Sequence, residues 1–353
     1  MTKQISIVYL GDVCFNDNYI KYYKKYLNPF KNVQKDLKNK DYIIGNLECI
    51  AKGDHGENLK KKPRLKTTVE TLNYLKILNI NIVSLAHNHI YDHLDDGFIK
   101  TISFLKKNNI KYLGASIKKD FANKYIIIKK NDIRIGFLNY LTLDTNPQIP
   151  NKTKININLF NINKTIIDIK KLKKITNHVV LLLHWGGRVE GGLFPDFNQP
   201  DIAKKLIDAG ADLIIGHHSH TIQPFEIYKN KYIFYSIGNF CFSDYFFEGK
   251  FNPMPLRRNI TMLVSVIFKK KKYKIELNFF INKKKYFLKT NYLFKLKLRN
   301  LLFNKFFKNN YFLKIYYFHK NYILNPFIFI NRKDLTFLEK IQRLNIFIKR
   351  KLL

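Results

Sequence analysis

Residues 80–89 read Ile-Asn-Ile-Val-Ser-Leu-Ala-His-Asn-His, and residues 213–220 read Leu-Ile-Ile-Gly-His-His-Ser-His. In each, a short β-branched run stops abruptly at amide and imidazole side chains. Runs of this length bounded by polar or Gly residues read as buried strands, so Ile80–Leu85 and Leu213–Ile215 are expected as strands. The same grammar recurs in both directions along the chain. Ile5–Leu10 runs into Gly11-Asp12, Tyr42–Ile44 into Gly45-Asn46-Leu47-Glu48, and Val179–Leu183 into His184. Between these runs, Thr68–Leu78 carries apolar residues at helical spacing. Asp95 is placed to cap a helix through Leu105, and Gln199–Ala209 is a helix closed by Gly210. Alternating strands and helices imply an α/β core with helices covering the sheet.

In α/β sheets the carboxyl ends of the strands form the binding edge. Asp12, Glu48, Asn88-His89, His184 and His217-His218-Ser219-His220 all fall there, so loops distant in sequence are expected to converge. Carboxylates, an amide oxygen and imidazoles form a mixed O/N ligand set suited to Mn, Zn or Fe. Two such ions about 3.5–4 Å apart would clamp a phosphoryl group and activate a water. No Walker loop, Gly-x-Ser-x-Gly elbow or dinucleotide fingerprint offers a competing chemistry.

Composition sets the outer limits. Of the 353 residues, 46% are hydrophobic, which supports a substantial core and argues against global disorder. The net charge of +37 favours anionic partners, though Lys, Asn and Ile are abundant everywhere. Cys14, Cys49 and Cys241 are odd in number and far apart, so no disulfide framework is expected, and a reducing compartment fits. The chain enters an apolar strand at Ile5 without a leader segment. It also lacks the roughly 18 uninterrupted apolar residues of a membrane span. The expectation is a cytoplasmic protein, or one peripheral at the inner membrane face.

From about Ile260 the texture changes. Ile260–Phe268 and Tyr273–Phe280 read as a hairpin around Lys269–Lys272. Residues 283–353 hold 18 Lys+Arg against two acids, Asp334 and Glu339. We therefore divide the chain into a domain at 1–282 and a basic, aromatic, helical extension at 283–353. Phe303, Phe306, Phe307, Tyr311, Phe312 and Ile315 form a helical stripe. It suits packing on the domain, or the interface of an anionic bilayer.

The ordered motifs resemble those of the CapA family of capsule-biosynthesis proteins, which are related to the calcineurin-like metallophosphoesterases. They are Gly11-Asp12-Val13, Asn46-Leu47-Glu48, Leu85-Ala86-His87-Asn88-His89 with Asp92, His184-Trp185-Gly186, Asp208-Ala209-Gly210-Ala211-Asp212, Ile215–His220 and Tyr235–Phe240. The resemblance spans roughly residues 3–245. It implies a four-layer α/β/β/α sandwich holding one or two divalent metals through Asp12, Glu48, Asn88, His184, His218 and His220, with Glu48 near the bridging position. His89 would act with Asp12 in catalysis, while His217 could replace His218 or face substrate. Arg64, in Pro63-Arg64-Leu65, would clamp a phosphate or carboxylate. The implied function is a metal-dependent hydrolase of capsule or poly-γ-glutamate type surface-polymer biosynthesis in bacteria. Its partner would be an anionic polymer or phosphorylated precursor, with 283–353 touching an anionic membrane or a capsule synthase. The competing reading is a non-catalytic subunit that holds the polymer or its precursor. The motif string argues against nucleic acid. One departure stands out: phosphoesterases open with Asp-x-His, whereas here Asp12-Val13 is followed by Cys14.

Overall fold

Alternation along the strands builds two sheets that face one another. In the strand Ile5–Val13, Ile5, Ile7 and Tyr9 point to one side while Val8 and Leu10 point to the other. In His178–His184, Val180 and Leu182 share the first core, and Val179, Leu181 and Leu183 belong to another. Successive side chains leave a strand on opposite faces, so a strand apolar at every position must be covered twice. The shared core between the sheets takes Ile5, Ile7, Ile44 and Ile82 from one sheet and Phe137, Val180, Leu213 and Ile215 from the other. Helices close the outer faces. Lys31–Leu37 and Leu94–Lys107 cover the first sheet, and Ile162–Lys173 and Gln199–Asp208 cover the second. The architecture is an α/β/β/α sandwich, seen in a computed structural model that describes residues 3–117, 124–307 and 310–319.

The first sheet runs in the order Phe287–Lys289, Tyr273–Asn282, Ile260–Phe268, Ile5–Val13, Tyr42–Leu47, Ile82–Ser84 and Lys111–Leu113, with Asn239–Cys241 joining the end of Ile5–Val13. The second runs Phe225–Tyr228, Lys231–Phe234, Leu213–His217, His178–His184, Ile133–Leu141 and Tyr125–Lys130. Ile5–Val13, Tyr42–Leu47 and Ile82–Ser84 are mutually parallel, as are Ile133–Leu141, His178–His184 and Leu213–His217. Their carboxyl ends therefore face the same way within each sheet. The expected hairpin forms with Phe268 opposite Tyr273, and Lys269 N–H donates to the Lys272 carbonyl.

Two local expectations are corrected. The helix starts at Leu94 with His93 in the cap position, and Asp95 does not cap it. The Asp95 carboxylate instead accepts from Thr153 Oγ1 (2.5 Å) and Lys154 N (2.8 Å), a tertiary use that local propensity cannot show. The helical spacing of Thr68–Leu78 yields a short 3-10 turn at Thr71–Asn73 running into Tyr74–Ile77, with Thr68 Oγ1 accepting from Thr71 N.

The boundary drawn at 282 falls between two paired strands, because Phe287–Lys289 adds to Tyr273–Asn282. Beyond it, Tyr292 and Leu296 enter the inter-sheet core, and Phe303, Leu313 and Tyr317 enter the core of the second sheet. Of the stripe, Phe303 is buried, whereas Phe306, Tyr311, Phe312 and Ile315 are exposed. Residues 320–353 lie outside the described residues. No helix of the described residues is long and apolar enough to cross a membrane.

Asp212, from the Asp-Ala-Gly-Ala-Asp motif, ties the second sheet together. Its Oδ2 accepts from Val179 N (2.9 Å) and Lys173 Nζ (2.5 Å), and its Oδ1 from Lys231 Nζ (2.6 Å). Burial raises its carboxyl, but the two lysines and the backbone donor outweigh that and hold it below the usual range. A depressed folded value gives stability that is present above the unfolded value of about 3.9 and lost as pH falls through the folded one. Asp212→Asn is expected to cost about 1–2 kcal/mol near neutral pH, a figure discounted because both lysines are about a third exposed. Urea unfolding of both proteins near neutrality and in acid checks it, since the difference must shrink as pH falls.

Candidate metal centre

Asp12 is placed by a close backbone approach. A Cβ on Gly11 would lie 1.9 Å from the Gly238 carbonyl, so glycine alone lets Asp12 N donate to that carbonyl (3.0 Å) and seats Asn239 opposite Asp12. Glu48 follows the adjacent strand, its N–H bonded to the Val13 carbonyl (2.9 Å). Across the sandwich, His184 and His217 end neighbouring strands in register. The chain then turns back through left-handed backbone at His218 (φ 90°) and His220 (φ 59°), a conformation costing about 1–3 kcal/mol each for side-chain-bearing residues and concentrated at functional sites. That turn brings imidazoles of the second sheet to the carboxylates of the first.

Glu48, His184 and His218 each offer a ligand atom within 4.8 Å of the others, and so do Asp12, Glu48 and His220. Glu48 belongs to both trios. His184 Nε2 lies 3.0 Å from Asn88 Oδ1, 3.0 Å from His218 Nδ1 and 3.6 Å from Glu48 Oε1. His220 Nδ1 is 3.2 Å from Asp12 Oδ2 and 3.8 Å from Glu48 Oε2. His217 Nδ1 faces Asp12 Oδ1 at 3.4 Å and joins neither trio. The structure thus brings Asp12, Glu48, Asn88, His184, His218 and His220 together, with His217 behind Asp12.

Electrostatics shows what the cluster would accept. Both oxygens of Glu48 are fully buried with no hydrogen-bond partner, and burial, then Asp12 beside it, pushes the carboxyl well up. Asp12 behaves oppositely: burial raises it, but hydrogen bonds from His217 and His220 hold it well below the usual range. Burial lowers His184, His87 and His89 well below an ordinary imidazole and brings His218 to about 4. Neutral imidazoles are lone-pair donors, and a buried carboxylate without donors has an unmet need for positive charge. The donor set fits a divalent cation.

Around the trios, Asn46 Nδ2 donates to Asp12 Oδ1 (2.9 Å) and lies 3.2 Å from His184 Nδ1, with Ser84 Oγ donating to its Oδ1 (2.9 Å). Asn46 belongs to the Asn46-Leu47-Glu48 motif, but only the geometry shows it fixing a carboxylate and an imidazole at once. Asn239 Oδ1 holds His220 Nδ1 (2.9 Å). His89 Nδ1 pairs with Asp92 Oδ2 (2.7 Å), which also accepts from Leu65 N (2.6 Å), and burial lifts the Asp92 carboxyl to about 8. Arg64 uses Nε on Glu57 (2.8 Å) and Nη1 on the Lys61 carbonyl (3.0 Å), and stacks over Phe247, so these donors brace its own loop. Cys14 packs as an apolar residue in the outer core of the first sheet with Cys49 and Cys241; all three are free and buried. At the rim Glu190 stands near His220, His218 and His89, and Arg258 Nη2 reaches its carboxylate at 3.2 Å.

The α/β/β/α sandwich, with carboxylates and imidazoles meeting where both sheets end, is the metallophosphoesterase-like architecture that the motifs lead one to expect. Among solved structures, the chain is similar to a hypothetical protein from Thermus thermophilus (TM-score 0.49, 10% identity, 78% of this chain and 98% of that one) and to a 5'-nucleotidase precursor from the same organism (TM-score 0.43, 17% identity, 86% and 58%). Among sequences, it is 28% identical over 277 residues to the capsule biosynthesis protein CapA of Bacillus anthracis, covering 75% of this chain and 67% of that protein. It is 30% identical over 215 residues to the PGA biosynthesis protein CapA of Bacillus subtilis (strain 168), covering 60% and 56%. The bacterial capsule synthesis protein family PGA_cap matches residues 6–244. The chain belongs to that family.

Proposed function

We propose that this protein is a metal-dependent hydrolase acting in capsule or poly-γ-glutamate type surface-polymer synthesis. The observation that carries the reading is Glu48: buried, without a donor on either oxygen, and shared by both ligand trios. Membership of the capsule synthesis family and the names of the two Bacillus relatives, a capsule and a PGA biosynthesis protein, support the biological setting.

Asp12, Glu48 and His220 would hold one divalent ion, and Glu48, His184 and His218 a second, with Asn88 Oδ1 beside His184. A cation bound there supplies Lewis-acid polarisation and lowers the pKa of water. The chain's own residues do the rest. Asn46 keeps Asp12 and His184 in fixed orientation, and Asn239 does the same for His220. His89, steadied through Nδ1 by Asp92, has Nε2 left to move a proton at the leaving group. Near-complete burial of the ligands keeps bulk water away from the charges.

The test is metal content of the purified protein together with turnover of a chromogenic phosphodiester. The wild type is expected to carry metal and turn over, and Asp12→Asn to lose at least one equivalent and most activity. Wild-type protein that stays metal-free in excess Mn²⁺ or Zn²⁺ and hydrolyses nothing would sink the proposal.

The second reading, a subunit that holds an anionic polymer or phosphorylated precursor, draws on the surface beyond 282. There Phe294, Leu301, Tyr311 and Phe318 are exposed among lysines, a composition suited to an anionic membrane or a synthase. Polymer binding untouched by Asp12→Asn would favour it.

A further inference from the structure

Arg258 stands where the turn Leu256–Asn259 enters the strand Ile260–Phe268. Its carbonyl accepts from Asn239 Nδ2 (3.1 Å), and the Oδ1 of that amide holds His220, so one side chain separates Arg258 from the metal cluster. Its guanidinium reaches the loop after His184, where Nη2 lies 3.2 Å from Glu190 Oε1. The guanidinium lies against Gly191, whose backbone is left-handed (φ 71°) and where a Cβ would come within 2.7 Å of Nη2. The loop is anchored to the histidine turn, with Gly191 N donating to the Ser219 carbonyl (2.8 Å) and the Gly192 carbonyl accepting from Thr221 Oγ1 and Gln223 Nε2.

The contact between the two charges is incomplete. The Nε and Nη2 of an arginine form one edge, two parallel donors matched to two oxygens of a carboxylate or phosphate. Glu190 touches only Nη2, at the long end of the hydrogen-bond range, and Arg258 Nε is buried with no hydrogen-bond partner. A buried donor left unmade is costly. The Glu190 side chain is 48% exposed, so it can return to water cheaply. It also faces the cluster. Burial raises its carboxyl, but Arg258 and then His220, His218 and His89 hold it well below the usual range.

We propose that the Nε–Nη2 edge of Arg258 receives an oxyanion of the substrate, with Glu190 as a placeholder that yields the edge when that anion arrives. An oxyanion in the fork satisfies Nε as well as Nη2, and Glu190 regains water. The assignment rests on reading the cluster as a metal centre, because that is where the anion would be presented. Its ligand class is a carboxylate or a phosphoryl group. Arg64 has two of its donors committed within its own loop, whereas the Arg258 edge is half used.

Calorimetric titration of the full chain with inorganic phosphate, and separately with glutarate, tests this with Mn²⁺ bound and with chelator present. Arg258→Gln is expected to weaken the preferred anion about 10-fold or more, and Arg258→Lys to recover only part, since an ammonium has no parallel donors. Glu190→Gln is expected to tighten binding about 3- to 10-fold, as the placeholder loses its charge. Metal content and melting temperature stay at wild-type values in all three. Whichever probe shows the Arg258 dependence identifies the group as phosphoryl or carboxylate. Wild-type affinity in both Arg258→Gln and Glu190→Gln, or no binding of either probe by the wild type, overturns the assignment. Should the wild type take up no metal, the metal-centre reading fails separately, and the chelator arm still decides whether Arg258 receives the anion.

Discussion

Glu48→Gln is expected to lose bound divalent metal and turnover, and to be more stable than the wild type once metal is chelated. Both effects come from one geometry. Glu48 contributes to both ligand trios, so its removal weakens each, and the loss should be at least about 100-fold in metal affinity. Without metal, the wild-type carboxylate is a buried charge with no donor, worth about 1–3 kcal/mol or more against the fold. The sign of its pH dependence follows. Its folded pKa is raised, so its contribution to stability is complete below the unfolded value near 4.5 and is lost as pH rises towards the folded one. The stability advantage of Glu48→Gln should therefore be larger in mildly alkaline than in mildly acid buffer. Metal inverts the order, because a ligand at 100 times its Kd adds about 2.7 kcal/mol to the wild type alone. Thermal melts in both buffers, with chelator and then with Mn²⁺, show the crossing. A variant that binds metal as the wild type does contradicts the two-trio arrangement.

His89→Ala is expected to separate chemistry from metal binding. His89 belongs to neither trio, and its Nδ1 is engaged by Asp92 at 2.7 Å. Removing a positioned acid–base group costs about 10²- to 10⁴-fold in rate, so turnover should fall by that much while metal content stays full. Asp92→Asn should fall less in rate but also lose stability, because Asp92 Oδ2 braces the Leu65 N–H of the neighbouring loop. Loss of metal in His89→Ala would place His89 among the ligands and remove its separate role.

Much of this was legible because the informative pattern was local. Strands apolar on both faces announced a covered sheet, and the residue at which each strand stops being apolar announced the site edge, as at His184 and His217. Less legible were positions whose role depends on a distant partner. Asp95 reads as a cap until Thr153 claims it, and only the fold shows that Cys14, standing where Asp-x-His would put a histidine, packs into core with Cys49 and Cys241. Asn46 sat in view within its motif, but its double duty requires His184, which is 138 residues away.

Sequence alone determined the order of strands and helices, the double burial of the central strands, and the set of polar residues at their carboxyl ends. These follow from periods of two and 3.6 residues and from where apolar runs stop. Tertiary structure alone decided that His218 and not His217 joins Glu48 and His184, that Glu190 meets Arg258, and that Tyr292, Leu296, Phe303, Leu313 and Tyr317 help close two cores. Those outcomes turn on backbone direction at single residues and on how one sheet lies against another. Neither leaves a repeat in the chain.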